Sequence, residues 1–325
     1  MNGGGRLLAG GVETSSPIWL APLAGVTTRT FRAFHRAMGA GLVHTEMVSA
    51  LGLSYKNKRT RDLLGDENEQ GPVVLQLFAS NATELAKGAE TAMKARRFDA
   101  LEINMACPMP KVTKKGAGAR LLENPDEAAR MVLSLKQFGL PVWVKLRKTD
   151  AEGTKAFCAA LAVSGADLLL LHGRTLAQRY DGAADRGIVG EIAKIFPGMV
   201  AASGDYYEPD DAARYLDDGC VAVLAARGVL RDAFLIPRTL LRLGYPLDEK
   251  MEKFANPSAR DQTEAILSIG KMGVTVEGER FTLVLARRMI AGMFKGFSGA
   301  SALRRACSEC RDWASMEEIL TGFAL

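Results

Sequence analysis

The chain has 325 residues, of which 48% are hydrophobic and 24% are charged, as in a globular protein with a substantial core. Its apolar runs are strand-sized and fall short of the roughly 18 residues that a membrane-spanning helix needs, so none of them suggests a membrane span. The N-terminal sequence MNGGGRLLAGG lacks an apolar segment followed by a cleavage site. We therefore expect an irregular lead-in there and a cytoplasmic location.

The cysteines and histidines argue against disulfides and metals. The five cysteines are odd in number and lack the paired spacings of a disulfide framework. Cys307 and Cys310 form a C-x-x-C pair, but zinc would need two further ligands at suitable spacing, and the chain has 3 histidines in all. We therefore expect reduced thiols and no metal site.

The charge is mildly positive, with 42 basic and 37 acidic residues and a net charge of +5. Basic residues concentrate in three stretches, 55–61, 111–120 and 281–308, none of which contains an acidic residue. Such stretches attract polyanions, including nucleic acids, although each could also be an ordinary solvated surface.

Eight short apolar segments recur through the first 225 residues, and each is followed by a stretch long enough for a helix. In chain order they are PIWLAPL from Pro17, LVHTEM from Leu42, PVVLQLF from Pro72, ALEINM from Ala100, PVWVKLR from Pro141, DLLLLHGRT from Asp167, MVAASGD from Met199 and VAVLAARG from Val221. This alternation indicates βα units with buried parallel strands. Eight such units in about 240 residues predict an α/β fold, the (β/α)8 TIM barrel. A doubly wound sheet is disfavoured because GAGARL at 116–121 lacks the third glycine of its fingerprint.

The alternation stops after Arg231. The segment 231–244 can form the last barrel helix, 245–259 has the composition of a linker, and the remainder shows helical spacing without strand signals. We therefore predict a TIM-barrel domain over residues 1–245, followed by a small all-α domain over 246–325.

Polar or small residues stand where the predicted strands end. Because the active site of a TIM barrel lies at the carboxyl ends of its strands, these residues are expected to share one site. Single polar strand ends often only meet solvent, so the joint occurrence carries the prediction. The residues are Gln76, Asn104, Lys145, Arg147, His172, Arg174, Ser203, Gly204, Asp205, Ala226, Arg227 and Gly228.

Two features of these strand ends together predict a pocket for FMN. Lys145 interrupts the apolar run VWVKL, so its ammonium group needs a buried anionic or polar partner. The glycines after the last two strands let a phosphate approach the backbone, and Arg227 adds positive charge there. A lysine beside the ring would stabilise negative charge on the reduced flavin. Cys107 follows the fourth strand and would lie on a loop over the flavin.

The sequence resembles the tRNA-dihydrouridine synthases, which are FMN-dependent TIM-barrel flavoenzymes, over nearly its whole length. The combination of a cysteine motif and a histidine motif makes the resemblance specific. The matching segments are APLAGVTTRTFR from Ala21, TEMVSALGL from Thr45, VVLQLFAS from Val73, EINMACPMPKVTKKGAGARLLENP from Glu102, VKLR from Val144, HGRTLAQRYDGAAD from His172, SGD from Ser203, ARG from Ala226 and RRMIAGMFKGFSGA from Arg287.

The resemblance implies an enzyme that uses FMN and NADPH to reduce the C5–C6 double bond of particular uridines in tRNA to dihydrouridine. Hydride from flavin N5 would reach C6, and Cys107 would protonate C5 from the opposite face. The uridine would have to leave its stack and enter the barrel mouth.

The resemblance also implies residue roles. Residues expected to bind the cofactor are Pro22, Leu23, Gln76, Lys145, His172, Ser203, Gly204, Asp205, Ala226, Arg227 and Gly228. Residues expected to bind the uridine or the RNA are Asn104, Arg147, Arg174, Gln178, Lys114, Arg287 and Arg288. We expect a monomer whose partner is tRNA.

Two alternatives stay open. An FMN barrel that reduces a free pyrimidine or another small enone, as a dihydroorotate dehydrogenase-like enzyme would, could share the phosphate site and the lysine. It would not need a basic helical domain. A protein that binds RNA without chemistry is the other alternative. The uridine position, the choice of NADPH over NADH and the range of RNA substrates also stay open.

Overall fold

Short strands and helices alternate through most of the chain in the computed structural model, which describes residues 6–324. The strands are β1 (Leu7–Ala9), β2 (Val12–Thr14), β3 (Ile18–Leu20), β4 (Leu42–His44), β5 (Val48–Ser49), β6 (Val73–Phe78), β7 (Ala100–Met105), β8 (Val142–Arg147), β9 (Leu168–His172), β10 (Val200–Ser203) and β11 (Ala222–Ala225).

Fifteen α-helices accompany these strands in the described part of the chain. They are α1 (Arg29–Ala37), α2 (Ala50–Ser54), α3 (Lys58–Asp62), α4 (Ala82–Ala95), α5 (Pro110–Thr113), α6 (Pro125–Lys136), α7 (Ala151–Val163), α8 (Arg186–Ile195), α9 (Pro209–Asp217), α10 (Leu235–Arg242), α11 (Glu249–Glu252), α12 (Ala259–Val276), α13 (Glu279–Met293), α14 (Ala300–Glu309) and α15 (Trp313–Ala324). Short 3₁₀ helices span Gly118–Glu123, Arg227–Leu230 and Lys253–Ala255.

Eight parallel strands close into a barrel in the order β3, β4, β6, β7, β8, β9, β10 and β11, with β11 pairing with β3. All eight predicted strands and the predicted TIM barrel are confirmed. The strands are apolar on both faces because one face packs against the surrounding helices and the other fills the barrel. In β8, for example, Val144 packs toward the helices, whereas Trp143 stacks on Trp19 inside the barrel with ring centroids 5.3 Å apart.

A hairpin formed by β1 and β2 covers the amino end of the barrel. The ring nitrogen Nε1 of Trp143 donates to the carbonyl of Gly10 at 2.8 Å, and Ala9 and Val12 join the apolar interior. The prediction of an irregular lead-in over residues 1–11 is therefore wrong for residues 7–9, which form β1, while residues 1–5 lie outside the described part of the chain. The hairpin closes this end, so the interior opens at the carboxyl ends of the strands.

The C-terminal region is helical, as predicted. Helices α12–α15 pack on one another, and α12 begins with a capping box formed by Ser258 and Asp261. This helical unit also touches the barrel, because the Glu277 carboxylate accepts hydrogen bonds from the backbone N–H and the hydroxyl of Thr30 at 3.0 and 2.8 Å. The division into domains at residues 245 and 246 stays a prediction.

Gly292 is expected to be essential for the contact between α13 and the barrel. A Cβ atom at this position would lie 2.1 Å from the carbonyl oxygen of Leu230, which is backbone and cannot yield easily. We expect Gly292→Ala to lower the free energy of unfolding by about 1–3 kcal/mol in urea denaturation. Gly322→Ala is the matched control, since its Cβ would meet no atom within 4 Å, and it should be neutral or slightly stabilising. Equal stabilities of the two variants would contradict this account of the contact.

Candidate active site

A cavity of about 230 Å³ opens at the carboxyl ends of the barrel strands. It brings together most of the residues that the sequence assigned to one site. Those that line it are Pro22, Leu23, Asn104, Cys107, Lys145, Arg147, His172, Ser203, Gly204, Asp205, Ala226, Arg227 and Gly228. Six assigned residues, Gln76, Lys114, Arg174, Gln178, Arg287 and Arg288, do not line it.

Lys145 is a buried cation with spare hydrogen-bonding capacity. Its side chain points into the barrel, the residue is 8% exposed, and its ammonium group donates one hydrogen bond, to the Ser203 hydroxyl at 3.2 Å. Burial lowers the pKa of Lys145 to about 8, and the charge of Glu102 opposes this shift. An ammonium group has three N–H donors, so Lys145 is suited to hold an anionic or electron-rich ligand edge.

His172 is a neutral hydrogen-bond donor beside Lys145. The backbone N–H of Arg174 donates to Nδ1 of His172 at 3.2 Å, which leaves the ring proton on Nε2. Burial lowers the pKa of His172 far below its usual value, and the nearby cations Lys145 and Arg147 act in the same direction. His172 can therefore offer an uncharged N–H to a ligand in the cavity.

Two glycines lie next to these donors in loops that are packed too tightly for a side chain. Gly204 has φ +120°, and a Cβ there would lie 2.9 Å from the Cβ of Ala184. At Gly228 a Cβ would lie 2.3 Å from the Tyr206 carbonyl oxygen. Neither position tolerates a side chain without movement, so the glycines after β10 and β11 are required by the loop geometry.

Asp205, in the loop after β10, forms ion pairs with arginines from the loops after β9 and β11. Its carboxylate contacts Arg174 at 2.6 Å and Arg227 at 3.3 Å, and it accepts the N–H of Ala184 at 2.7 Å. Arg174 is buried and points to Asp205, and its Nη1 atom has no partner among the described residues. Asp205 thus holds Arg227 at the cavity wall.

Cys107 lies on a loop that is held tightly by its surroundings. The Asn104 side-chain oxygen accepts from the backbone N–H groups of Cys107 and Ala106 at 2.9 and 3.2 Å. Arg147 donates through Nε to the Ala106 carbonyl at 2.7 Å, and the N–H of Ala119 donates to the Cys107 carbonyl at 3.0 Å. The half-buried thiol faces the cavity from this fixed position.

The thiol of Cys107 keeps its proton near neutral pH. Burial raises the pKa of Cys107 above its usual value, and this effect exceeds the opposing influence of the Met109 backbone N–H and of Arg147 and Lys145. A protonated thiol is an acid, whereas a thiolate would be a nucleophile. The electrostatics therefore favour proton donation at this position.

A buried polar layer lies below the cavity, and two of its residues, His44 and Glu102, were not assigned from the sequence. His44 Nδ1 lies 2.8 Å from the carbonyl oxygen of Leu20, and its Nε2 lies 3.0 Å from a carboxylate oxygen of Glu102. Gln76 donates to the other oxygen of Glu102 and accepts from Asn104 at 2.8 Å. Gln76 thus supports Asn104 instead of lining the cavity. The available signal was the presence of polar residues at inward-facing positions of apolar strands.

Three residues that the sequence assigned to uridine or RNA binding lie in the loop after β9 or contact it. Arg147 donates through Nη1 to the carbonyls of Thr175 and Arg179 at 3.0 and 2.7 Å. The side-chain oxygen of Gln178 accepts the N–H of Thr175 at 2.9 Å, within the same loop. The predicted uridine contacts of Arg147, Arg174 and Gln178 stay predictions.

The residues assigned to the RNA backbone lie outside the cavity. Lys114 is exposed at the end of α5. Arg287 is turned toward the C-terminal helices, where its Nε donates to the Cys307 carbonyl at 3.2 Å. Arg288 is exposed and donates to the Gly25 carbonyl at 2.8 Å. Arg287 therefore has a structural contact, and RNA contacts by these residues stay predictions.

Residues 6–324 contain no group of three or more His, Cys, Asp and Glu side chains arranged to hold a metal ion. The five cysteines carry no disulfide in the structure. Within the same described range, no helix is long and apolar enough to cross a membrane.

The family match and the similar curated proteins both point to the same protein family. Residues 19–323 match the family described as Dihydrouridine synthase (Dus). The probable tRNA-dihydrouridine synthase of Treponema pallidum (strain Nichols) is 30% identical, and the alignment covers 92% of this chain and 95% of the relative. The probable tRNA-dihydrouridine synthase 1 of Synechocystis sp. is 31% identical, with 92% of this chain and 83% of the relative covered.

A solved structure, TcOYE with pHBA, superposes with a TM-score of 0.55 at 13% identity, covering 75% of this chain and 93% of that one. At this identity the likeness shows a shared fold alone. The family match covers the barrel strands, the cavity loops and the C-terminal helices, so it concerns the whole described architecture. The chain therefore belongs to the dihydrouridine synthase family of oxidoreductases.

Proposed function

We propose that the protein uses FMN and NADPH to reduce the C5–C6 double bond of particular uridines in tRNA to dihydrouridine. Family membership supports the reaction class. The observation that carries the proposal is the composition of the cavity, where a buried lysine and a neutral histidine donor lie beside two glycine-containing loops, together with a protonated thiol.

The cavity residues fit FMN. The loops at Gly204 and Gly228, with Ser203 and Arg227, would hold the phosphate end, because all four residues line the cavity after β10 and β11 and Arg227 supplies positive charge. Lys145 and His172 would face the polar edge of the ring. The apolar wall from Pro22, Leu23 and Ala226 would contact the ring system. When bound, FMN would supply the hydride.

The role of Cys107 in this proposal is to deliver a proton to C5 of the uracil. Addition at C6 leaves electron density at C5 and the neighbouring carbonyl, and an acid must then complete the saturated bond. The raised pKa of Cys107 keeps the proton available, and the Asn104 contact fixes the loop that carries the thiol. Lys145 and Arg147 can stabilise negative charge that develops at the base, because both line the same cavity.

Two of the three basic stretches lie near the cavity mouth and fit an RNA backbone. Residues 111–120 follow β7, and Lys111 lines the cavity, whereas an RNA contact by residues 55–61 stays a prediction. Helix α13 reaches the same end through the contacts of Arg288 with Gly25 and of Gly292 with Leu230. Basic groups around the mouth can hold phosphates without reading sequence while one base enters the cavity.

The proposed function is tested under anaerobic conditions. The purified flavoprotein is reduced with NADPH, an unmodified tRNA transcript is added, and the visible flavin absorbance is followed while dihydrouridine is measured in the recovered RNA. Reoxidation that depends on tRNA and yields dihydrouridine is expected. Reoxidation by a free pyrimidine, with none by tRNA, would overturn the proposal in favour of a small-molecule reductase. A protein that binds tRNA but holds no flavin would also contradict it.

The affinity of the apoprotein for FMN is expected to fall as the pH rises through about 8, the pKa of Lys145. Below this pH the ammonium group is charged and attracts an electron-rich ligand edge, and above it the charge is lost. Flavin fluorescence titrations on either side of that pH measure the effect. Lys145→Met should bind FMN more weakly and without this pH dependence. Lys136→Met, which removes an exposed partner of Asp167, should behave like the wild type.

A further inference from the structure

Arginine and tyrosine side chains alternate along one wall of the cavity. The guanidinium of Arg147 lies 5.6 Å from the ring centroid of Tyr180, and that of Arg227 lies 5.0 Å from the same ring. Arg227 also lies 5.8 Å from the ring of Tyr207, and Arg231 lies 4.2 Å from it. We call these five residues the arginine–tyrosine ladder. Each step is within the distance of a cation–π contact.

The ladder runs from inside the cavity to its rim. Its first four members line the cavity, whereas Arg231 lies beyond it and is exposed. Arg231 directly follows Leu230, the residue whose carbonyl packs against Gly292 of α13. The outer step, Tyr207 and Arg231, therefore lies where the barrel meets the C-terminal helices.

The outer step carries unopposed positive charge. The acidic residues adjacent to it in the chain, Glu208 and Asp232, both pair with Arg238, at 3.3 and 2.6 Å. The inner cation Arg227 shares Asp205 with Arg174. In the described part of the chain, Arg231 forms no ion pair, and its guanidinium lies against the Tyr207 ring.

This arrangement suits a phosphodiester backbone. An arginine whose plane rests on an aromatic ring is held in one orientation and keeps its N–H edge available for two parallel hydrogen bonds to a phosphate. Tyr180 is 51% exposed, so ring surface also remains on which a base can stack. Alternating cations and flat rings are the features that single-stranded nucleic acid requires.

We infer that the outer step of the ladder binds the RNA backbone next to the reacting uridine, with Arg231 contacting a phosphate and Tyr207 holding the Arg231 guanidinium in place. This rests on the proposed function, because it requires an RNA whose target base has left its stack. Tyr207 is a positioning residue, and Arg231 is the group that contacts the RNA.

The test measures the affinity for an unmodified, fluorescently labelled tRNA transcript by anisotropy over a range of salt concentrations. For Arg231→Ala we expect a Kd that is roughly five- to tenfold higher and a log–log salt slope reduced by about one, as for loss of one phosphate contact. Tyr207→Ala should raise the Kd in the same direction, whereas Tyr207→Phe keeps the ring and should stay within about twofold of the wild type.

Arg214→Ala is the matched control. This exposed arginine lies in the last turn of α9 and points away from the cavity end, because each barrel helix runs back from the carboxyl ends of the strands. Flavin content and the rate of reduction by NADPH should be unchanged in Arg231→Ala and in Arg214→Ala, neither of which lines the cavity. Arg231 is exposed, so its replacement keeps the test decisive even if Tyr207→Ala fails to fold.

Several results would overturn the inference. If wild-type protein reduces tRNA but Arg231→Ala binds it like Arg214→Ala, the ladder does not bind RNA and the proposed function stands. If Arg231→Ala raises the KM for NADPH with tRNA affinity unchanged, the outer step serves the dinucleotide. If the wild type neither binds nor reduces tRNA, the proposed function fails and the inference fails with it.

Discussion

Replacing Cys107 by alanine is expected to lower the rate of dihydrouridine formation by roughly 10²- to 10⁴-fold, the usual contribution of a positioned general acid. The thiol faces the cavity from a loop fixed by Asn104 and Arg147, and burial raises its pKa so that it stays protonated near neutral pH. Reduction of the flavin by NADPH should continue at the wild-type rate, because that step does not use the thiol. Stopped-flow absorbance with NADPH and then with tRNA separates the two half-reactions.

The pH dependence gives a second readout for Cys107. A group with a raised pKa donates its proton below that pKa and loses this ability as the pH rises through it, so the wild-type rate should fall in alkaline solution. Cys107→Ser is the conservative variant, and its hydroxyl should restore little activity because it is a much weaker acid than a thiol. Equal tRNA-dependent reoxidation rates for Cys107→Ala and wild type would show that another group, or water, protonates C5.

Replacing Glu102 by alanine is expected to lower the free energy of unfolding by about 1–3 kcal/mol, the usual cost of leaving a buried polar group without its hydrogen-bond partner. Both His44 and Glu102 are fully buried, and Gln76 also donates to this carboxylate. The variant would leave the Gln76 amide without its acceptor and would remove the polar neighbour of the His44 imidazole in the barrel interior. Urea denaturation of the apoprotein measures the change without any contribution from cofactor binding.

Glu90→Ala is the control for charge removal alone. Its carboxylate is 57% exposed and pairs with Lys94 one helical turn away at 2.7 Å, so its loss should leave the stability close to that of the wild type. If Glu102→Ala is no less stable than Glu90→Ala, the polar layer does not support the barrel. A stability loss accompanied by faster alkylation of Cys107 would link the layer to the thiol loop through Gln76 and Asn104.

Several features of the fold and of the site can be predicted from the local sequence. The eight barrel strands are recognisable because a strand buried on both faces must be apolar throughout, and Lys145 stands out because it breaks such a run. The strand-end residues converge because parallel strands all end at one side of a closed barrel. The helical C-terminal region is visible from its spacing alone.

Other features depend on partners that are distant in the sequence. The pair of His44 and Glu102 joins strands that are not neighbours in the barrel. The β1–β2 hairpin covers the amino end of the barrel through a contact with Trp143, which lies more than a hundred residues away in the sequence. Tyr207 and Arg231 belong to different loops and meet because β10 and β11 are adjacent. Arg287 lies in a basic stretch that predicts an RNA contact, yet its Nε donates to a carbonyl of α14.

The barrel, the helical C-terminal region and the set of strand-end residues can be predicted from the sequence, since they depend on local hydrophobic periodicity and on where each apolar run stops. Which of those residues face the cavity and which support it from below is known only from the folded structure. Gln76 and Arg174 are the examples, as they hold Asn104 and Asp205 in place without lining the cavity. The physical reason is that orientation and pairing depend on closure of the barrel, which brings side chains from separate strands within hydrogen-bonding distance.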